Sequence, residues 1–485
     1  MMNKEENLKE NTAKGFFWAA CSNGTQQLVT LLVGIVLARL LDVADYGMVA
    51  MLSVFSVLAG CLQESGFTSA LAVRKEARHE DFNAVFWFNV SVGALVYVLL
   101  FFTVPFIAEF NHTPELTLLG RVIFVGFVVS STGTAHSAYL FRNLMVRRRT
   151  AAQVIASFVS GLTGIGSALL GWGCWSLVVM DLTYKTVNTV VLWHYSSWRP
   201  TWPVDFRPAF EMFAFSSRLL LTNVLNTLNG QLLQTLLGHF YPAGRLGHYS
   251  QANKWNMMGT QFLTGIIGNV AQPVLARVNG EAGRQVRIFR KMLRFTSLLS
   301  FPLLLGLALV APEFIVLTIG PKWAECVPYL QTLCVGGAFV PLCQAFSNLI
   351  ISKGRSDYFM AATCGFLLLQ LAAVVLLYRE GIQALLYAVA GLNVVWTGVW
   401  YVFARRLVRL TPLQVLSDTL PFLLAALAGM SVAALTASLV PSRLLSLAVK
   451  VVVAVIVYCT VMQLSGAAIW RECVQFVSAR LRCKN

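Results

Sequence analysis

Charged and amide side chains standing inside long apolar runs are the residues of this chain with chemistry to do. An ionisable group in hydrocarbon costs about 2.5–3.5 kcal/mol on insertion scales, so it must face protein, water or a ligand. Arg218 begins a stripe with Thr222, Asn226 and Asn229 at i, i+4, i+8 and i+11, one face of a helix. Lys254 begins another with Gln261, Gly265, Gly268 and Gln272, and Asn23, Gln26, Thr30 and Gly34 make a third. Neither Arg218 nor Lys254 has an acid within one turn on its own face, so each is available to an anion in a low-dielectric site. The stripes fit two arrangements, the lining of a water-filled substrate cavity or polar contacts between packed helices. Asp181 and Lys185, at i and i+4 with Asn188 a turn further, share a face as a structural ion pair or as a site for a coupling ion or substrate. Arg121 either snorkels or faces the cavity, and Glu64 either pairs with Arg74 or does the same.

Motifs for catalysis are missing. No G-x-x-x-x-G-K-[ST] loop and no H-E-x-x-H pair occur, and the six histidines form no cluster. The ten cysteines lie mostly in apolar runs without a C-x-x-C, which fits small core residues better than zinc ligands or disulfides. The chain is therefore expected not to be an enzyme, with no cofactor and no metal.

The elements that must hold these residues follow from composition. Of 485 residues 57% are hydrophobic and 12% charged, where a soluble domain has about 45–50% and a quarter, so a soluble multidomain enzyme is excluded. At about 20 residues per crossing the apolar content supplies roughly 14 helices and leaves no sizeable domain outside a bilayer. Fourteen spans fall near 15–38, 48–73, 82–108, 116–141, 151–171, 173–197, 209–238, 247–276, 289–311, 324–351, 357–378, 381–404, 413–439 and 442–465. With the N-terminus inside, the outer segments hold only Arg39, Arg245, Lys322, Arg379 and Arg443, while the inner ones hold clusters such as Arg147-Arg148-Arg149. That split obeys the positive-inside rule, predicts both termini cytoplasmic, and explains the net charge of +16 without nucleic acid.

Leu41–Gly47 after the first span and Tyr241–Gly247 after the seventh stand 200 residues apart at matching points of the topology. Arg147-Arg148-Arg149 after the fourth and Lys353-Gly354-Arg355 after the tenth make a weaker echo. The expected fold is all-α, a polytopic membrane protein of about 14 transmembrane helices. Helices 1–6 (1–200) and 7–12 (201–410) form two six-helix lobes, and 411–485 holds helices 13–14 and a cytoplasmic tail. Six helices return the chain to the same side, so the lobes would be parallel repeats about an axis near the membrane normal, with a cavity between them.

Several segments resemble a known family. Ala38-Arg39-Leu40-Leu41 with Asp45-Tyr46-Gly47, Ser65–Leu71 leading into Arg74-Lys75-Glu76, Gly320-Pro321-Lys322-Trp323 with Pro328-Tyr329-Leu330-Gln331, and Ser352-Lys353-Gly354-Arg355 are similar to segments of bacterial polysaccharide exporters. The likeness covers roughly residues 15–410. It is to the oligosaccharide flippase branch of the multidrug/oligosaccharidyl-lipid/polysaccharide exporter superfamily, close to Wzx-type colanic-acid and O-antigen translocases. The resemblance implies alternating-access transfer of an undecaprenyl-pyrophosphate-linked oligosaccharide from the cytoplasmic to the periplasmic leaflet of the bacterial inner membrane. Helices 13–14 would then shape a groove for the lipid tail. The family's motifs assign no cavity residue, but on electrostatic grounds Arg218 and Lys254 in a low-dielectric cavity would compensate an anionic pyrophosphate. The partners expected are the lipid-linked oligosaccharide, membrane lipids and other polysaccharide-assembly proteins, with the chain working as a monomer. A cation-coupled multidrug antiporter of the same superfamily is the first alternative. It would need a cavity dominated by carboxylates, where this chain offers Arg121, Lys185, Arg218 and Lys254 against Glu64 and Asp181. A glycan polymerase or glycosyltransferase would need a larger extramembrane loop, and a passive scaffold would need no intramembrane charge.

Overall fold

Fourteen helical segments follow one another along the described residues, with no strand among them. In hydrocarbon every backbone N–H and C=O must be satisfied within the segment, which a helix does and an open strand does not. The computed structural model describes residues 25–64, 71, 78–143, 145–202, 205–277, 282–467, 469–472 and 475. Backbone alone is described at 62–64, 146, 211–223, 225, 226, 229, 266, 268–274, 276, 277, 282 and 356.

In chain order the helices are α1 Thr25–Leu40, α2 Val43–Glu64, α3 His79–Phe110, α4 Leu116–Arg142, α5 Val146–Leu169, α6 Trp175–Tyr195 and α7 Arg207–Phe240. They continue with α8 Ala243–Arg277, α9 Ala282–Thr318, α10 Cys326–Ser352, α11 Ser356–Leu377, α12 Ile382–Leu407, α13 Pro412–Ala437 and α14 Arg443–Leu464. Each corresponds to one span of the hydropathy reading. Helices α5 and α6 are separated at Gly171 and Gly173, whose φ of +78° and +53° is backbone that a side chain would strain. Thr411 starts α13 with a capping box: its hydroxyl accepts from the Gln414 N–H, the Gln414 side chain accepts from the Thr411 N–H, and Pro412 takes the first helical position. Two interruptions were invisible to hydropathy. Helix α4 breaks at Phe124 and α10 at Ala338–Phe339.

Among the described residues ten helices are both long and apolar enough to cross a membrane, namely α2–α5 and α9–α14. Helices α6, α7 and α8, with 21, 34 and 35 residues, are long enough but fall outside that set. They carry Asp181 and Lys185, the Arg218 stripe and the Lys254 stripe respectively, so the shortfall in apolarity coincides with the residues singled out for function.

The chain divides into two compact units, Met1–Gly247 and His248–Asn485. In the first, α3, α4 and α6 pack closely where small residues meet: a Cβ at Gly93 would crowd Ser131, and one at Gly133 would touch Thr189. Phe82, Phe86 and Trp198 are buried in its core. In the second, Phe289, Phe301, Phe346, Trp396 and Trp400 centre the core, against which Phe422 of α13 and Tyr458 of α14 are buried. Tyr458 also donates its hydroxyl to the Leu298 carbonyl, 2.9 Å away, fixing α14 on α9.

Candidate functional site

The charged pair of α6 is formed as its spacing requires. Lys185 Nζ donates to Asp181 Oδ2 at 2.6 Å and sits 4.9 Å from the Phe127 ring centroid of α4. Gly126 makes this possible, because a Cβ there would run into the Lys185 chain. One turn away the buried amide oxygen of Asn188 has no hydrogen-bond partner among the described residues. Gln26 of α1 hydrogen-bonds the Tyr184 hydroxyl, so part of the Asn23–Gly34 stripe meets the same stretch of α6. Arg121 stands apart: its guanidinium lies over Phe101 of α3, 4.2 Å from the ring centroid, and its Nε has no partner among the described residues. Asn23 lies outside the described residues, as do the side chains of Glu64, Arg218, Asn226 and Asn229.

At the end of the first unit where α1 and α7 finish, the two repeat segments touch each other. A Cβ at Gly47 would overlap the backbone carbonyl of Ala243, and one at Gly247 would overlap that of Val43. The contact is reciprocal, 47 on 243 and 247 on 43, as a pseudo-two-fold relation between residues 200 apart demands. The offset was legible in the sequence, but the backbone approach was not. Helix α7 closes against α2 beside it: Gln234 Nε2 donates to Ala50 O at 3.1 Å and Ser53 Oγ at 2.8 Å. The His239 ring stacks on Phe110 with centroids 3.9 Å apart.

In the second unit the faces of α8 are sharply divided. Trp255, Asn256, Thr260, Leu263 and Ile267 are buried against the unit, with Trp255 edge-on to Phe314 at 4.9 Å. Gln261 and Gly265 lie on the other side and are exposed, and Lys254, part-buried, shares their face. No ion pair or hydrogen bond joins Lys254 to a described residue, so this ammonium is the kind of group an anion would compensate.

Three intramembrane charges escaped the sequence reading. Lys450 of α14 donates to Glu313 of α9, with Nζ 2.7 and 2.8 Å from the carboxylate oxygens, and Ser446 Oγ adds a bond at 3.2 Å. Asp418 of α13, fully buried, is held by Arg290 and Arg294 of α9. Both pairings join residues more than 120 positions apart, which no spacing rule reveals. The hint available was that a solitary charge on a lipid-facing span needs a partner on a neighbouring helix. Lys450→Met or Glu313→Gln alone is expected to lower stability by about 3–5 kcal/mol, because the remaining charge stays buried. The exchanged pair Glu313→Lys with Lys450→Glu should recover most of it. Thermal unfolding of the detergent-solubilised variants checks both, and two silent single changes would refute the pairing.

Comparison with known proteins places this arrangement. The family model described as "Polysaccharide biosynthesis protein" matches residues 36–328. The "Lipopolysaccharide biosynthesis protein WzxC" of Escherichia coli (strain K12) is 27% identical over 356 residues, 72% of each chain. The "Teichuronic acid biosynthesis protein TuaB" of Bacillus subtilis (strain 168) is 24% identical over 365 residues, 75% of each. Among solved structures, "Lipid II flippase MurJ, inward closed conformation" superposes with a TM-score of 0.76 at 12% identity, covering 94% of this chain and 99% of that one. An inward-facing multidrug-resistance MATE transporter reaches 0.64 at 16% identity, covering 79% and 94%. The fold is thus the all-helical transporter fold these structures share. With a matched segment running from the last turns of α1 into the start of α10, the chain belongs to the polysaccharide biosynthesis protein family.

Proposed function

We propose that this protein is a flippase that carries an undecaprenyl-pyrophosphate-linked oligosaccharide from the cytoplasmic to the periplasmic leaflet for surface polysaccharide synthesis. The observation that carries this reading is that, among the described helices of 18 residues or more, α6, α7 and α8 alone fall short of the apolarity of a membrane span, and they carry Asp181 with Lys185 and the Arg218 and Lys254 stripes, in a chain of this family. A sugar chain and its pyrophosphate cannot cross about 30 Å of hydrocarbon unaided, since each unpaired polar group costs several kcal/mol there. In this reading the amides of the polar stripes, with Arg218 and Lys254, would replace the water the headgroup loses, while the polyprenyl tail stays in lipid.

Transport then needs the cavity to open to one side at a time, by rocking of the lobes 1–200 and 201–410, with 411–485 flanking the second. The contact of Gly47 with Ala243 and of Gly247 with Val43 is a closure of the periplasmic end in this reading, since the Lys and Arg distribution puts the starts of α2 and α8 outside. The protein would reside in the bacterial inner membrane with both termini cytoplasmic, act as a monomer, and serve other polysaccharide-assembly proteins. A cation antiporter of the same fold would place carboxylates where this chain has Lys254.

Deletion separates the two. Cells lacking the protein are expected to lose the surface polysaccharide and accumulate the lipid-linked oligosaccharide, with drug susceptibility unchanged. Drug hypersensitivity with a normal surface polysaccharide would overturn the flippase reading in favour of the antiporter.

A further inference from the structure

The arginines that hold Asp418 are one more than its charge requires. Arg290 grips the carboxylate with two bonds, Nε to Oδ2 at 2.6 Å and Nη2 to Oδ1 at 3.1 Å. Arg294 adds a third from Nε to Oδ1 at 2.5 Å. A guanidinium has five N–H donors, so Arg294 keeps four and Arg290 three beyond this carboxylate. The carboxylate is wholly buried, whereas the Arg290 and Arg294 side chains are 25% and 38% exposed. Two cations against one anion leave a net positive charge on side chains that are partly exposed. The neighbouring Lys291 does not alter that sum, because it is neutralised by Glu472 at 2.5 Å. Arg287 lies one turn before Arg290 on the same face of α9 and is exposed.

Position narrows the ligand. Asp418 stands six residues into α13, about 9 Å along the helix from its start, where headgroups give way to hydrocarbon. The other face of α13 shows Leu413, Leu416, Leu420 and Leu424 exposed, a surface for acyl chains. A planar, oriented pair of guanidiniums at that depth matches phosphate oxygens, which such forks bind bidentately. A purely structural role would need only one arginine.

We propose that Arg290 and Arg294, oriented by Asp418 and supplemented by Arg287, form a site at the cytoplasmic end of α9 and α13 that docks the diphosphate of a polyprenyl lipid before it enters the cavity. The assignment rests on the flippase reading for the identity of the lipid. Its test uses a variant that spares the fold: Arg294→Ala leaves Asp418 its two-bond partner Arg290 and a balanced pair. With the purified full-length protein in nanodiscs, undecaprenyl diphosphate binding is expected to weaken about tenfold or more, the loss of one charge-assisted contact. Arg294→Lys should recover part of it, while dioleoylphosphatidylglycerol and inorganic pyrophosphate bind far more weakly than undecaprenyl diphosphate to the unaltered protein. Unchanged affinity in a stably folded Arg294→Ala, or phosphatidylglycerol bound as tightly as the diphosphate lipid, would overturn this site and leave the flippase reading standing. Unaltered protein that binds no undecaprenyl diphosphate would overturn both.

Discussion

Replacing Gly47 or Gly247 by valine is expected to abolish polysaccharide export while leaving the protein in the membrane. What a Cβ would meet at each position is backbone, the carbonyls of Ala243 and Val43, which has no rotamer to retreat into. Overpacking costs about 1–3 kcal/mol even where side chains can move. A penalty of about 3 kcal/mol on the closed state alone shifts a two-state equilibrium by roughly 100-fold. On the alternating-access reading proposed above, the protein would then stand open at this end and lose a closure its cycle requires. Because the contact is reciprocal, the two valine variants should fail to the same degree, and alanine at either position should be intermediate. Export measured as cell-surface glycan, with protein abundance as control, tests this. Full export by either valine variant would show that the two helix starts need not touch.

The second large effect belongs to the cations. Lys254→Ala is expected to keep insertion intact, since removing a part-buried charge lowers the cost of the membrane state, while export falls by about tenfold or more. Arg218→Ala should behave alike, on the strength of its stripe in α7. Lys at 218 recovers function in part if charge alone matters and little if a bidentate fork is needed. Normal export by a well-expressed double alanine variant would remove both from the mechanism.

Much of this molecule was legible because bilayer thickness imposes one length on every element. Fourteen apolar runs correspond to fourteen helices along the described residues, and the Asp181–Lys185 pair and the Arg218 and Lys254 stripes fall on α6, α7 and α8, the long helices that fall short of the apolarity of a membrane span. Within one helix, spacing was a sound guide: Asp181 and Lys185 pair as i and i+4. Between helices it was mute. Lys450 belongs to Glu313 and Asp418 to Arg290 and Arg294 because α9 packs against both α13 and α14, a neighbourhood that periodicity does not encode. Arg290 and Arg294 in particular read as ordinary cytoplasmic charges, since the positive-inside rule counts residues and is blind to the partners they find. The breaks at Phe124 and Ala338–Phe339 were missed for a related reason: apolar residues continue through them, so hydropathy registers no interruption. Gly47 and Gly247 were visible as a repeat, yet their purpose emerged only from the backbone each one meets.

The most direct test is leaflet transfer by the purified protein. In proteoliposomes carrying a labelled undecaprenyl-pyrophosphate-linked oligosaccharide, the glycan exposed to an impermeant reagent is measured over time. The expected result is exchange between leaflets far faster than in protein-free vesicles, slowed markedly by Lys254→Ala. Exchange no faster than in protein-free vesicles, from protein that is folded and inserted, would contradict the account.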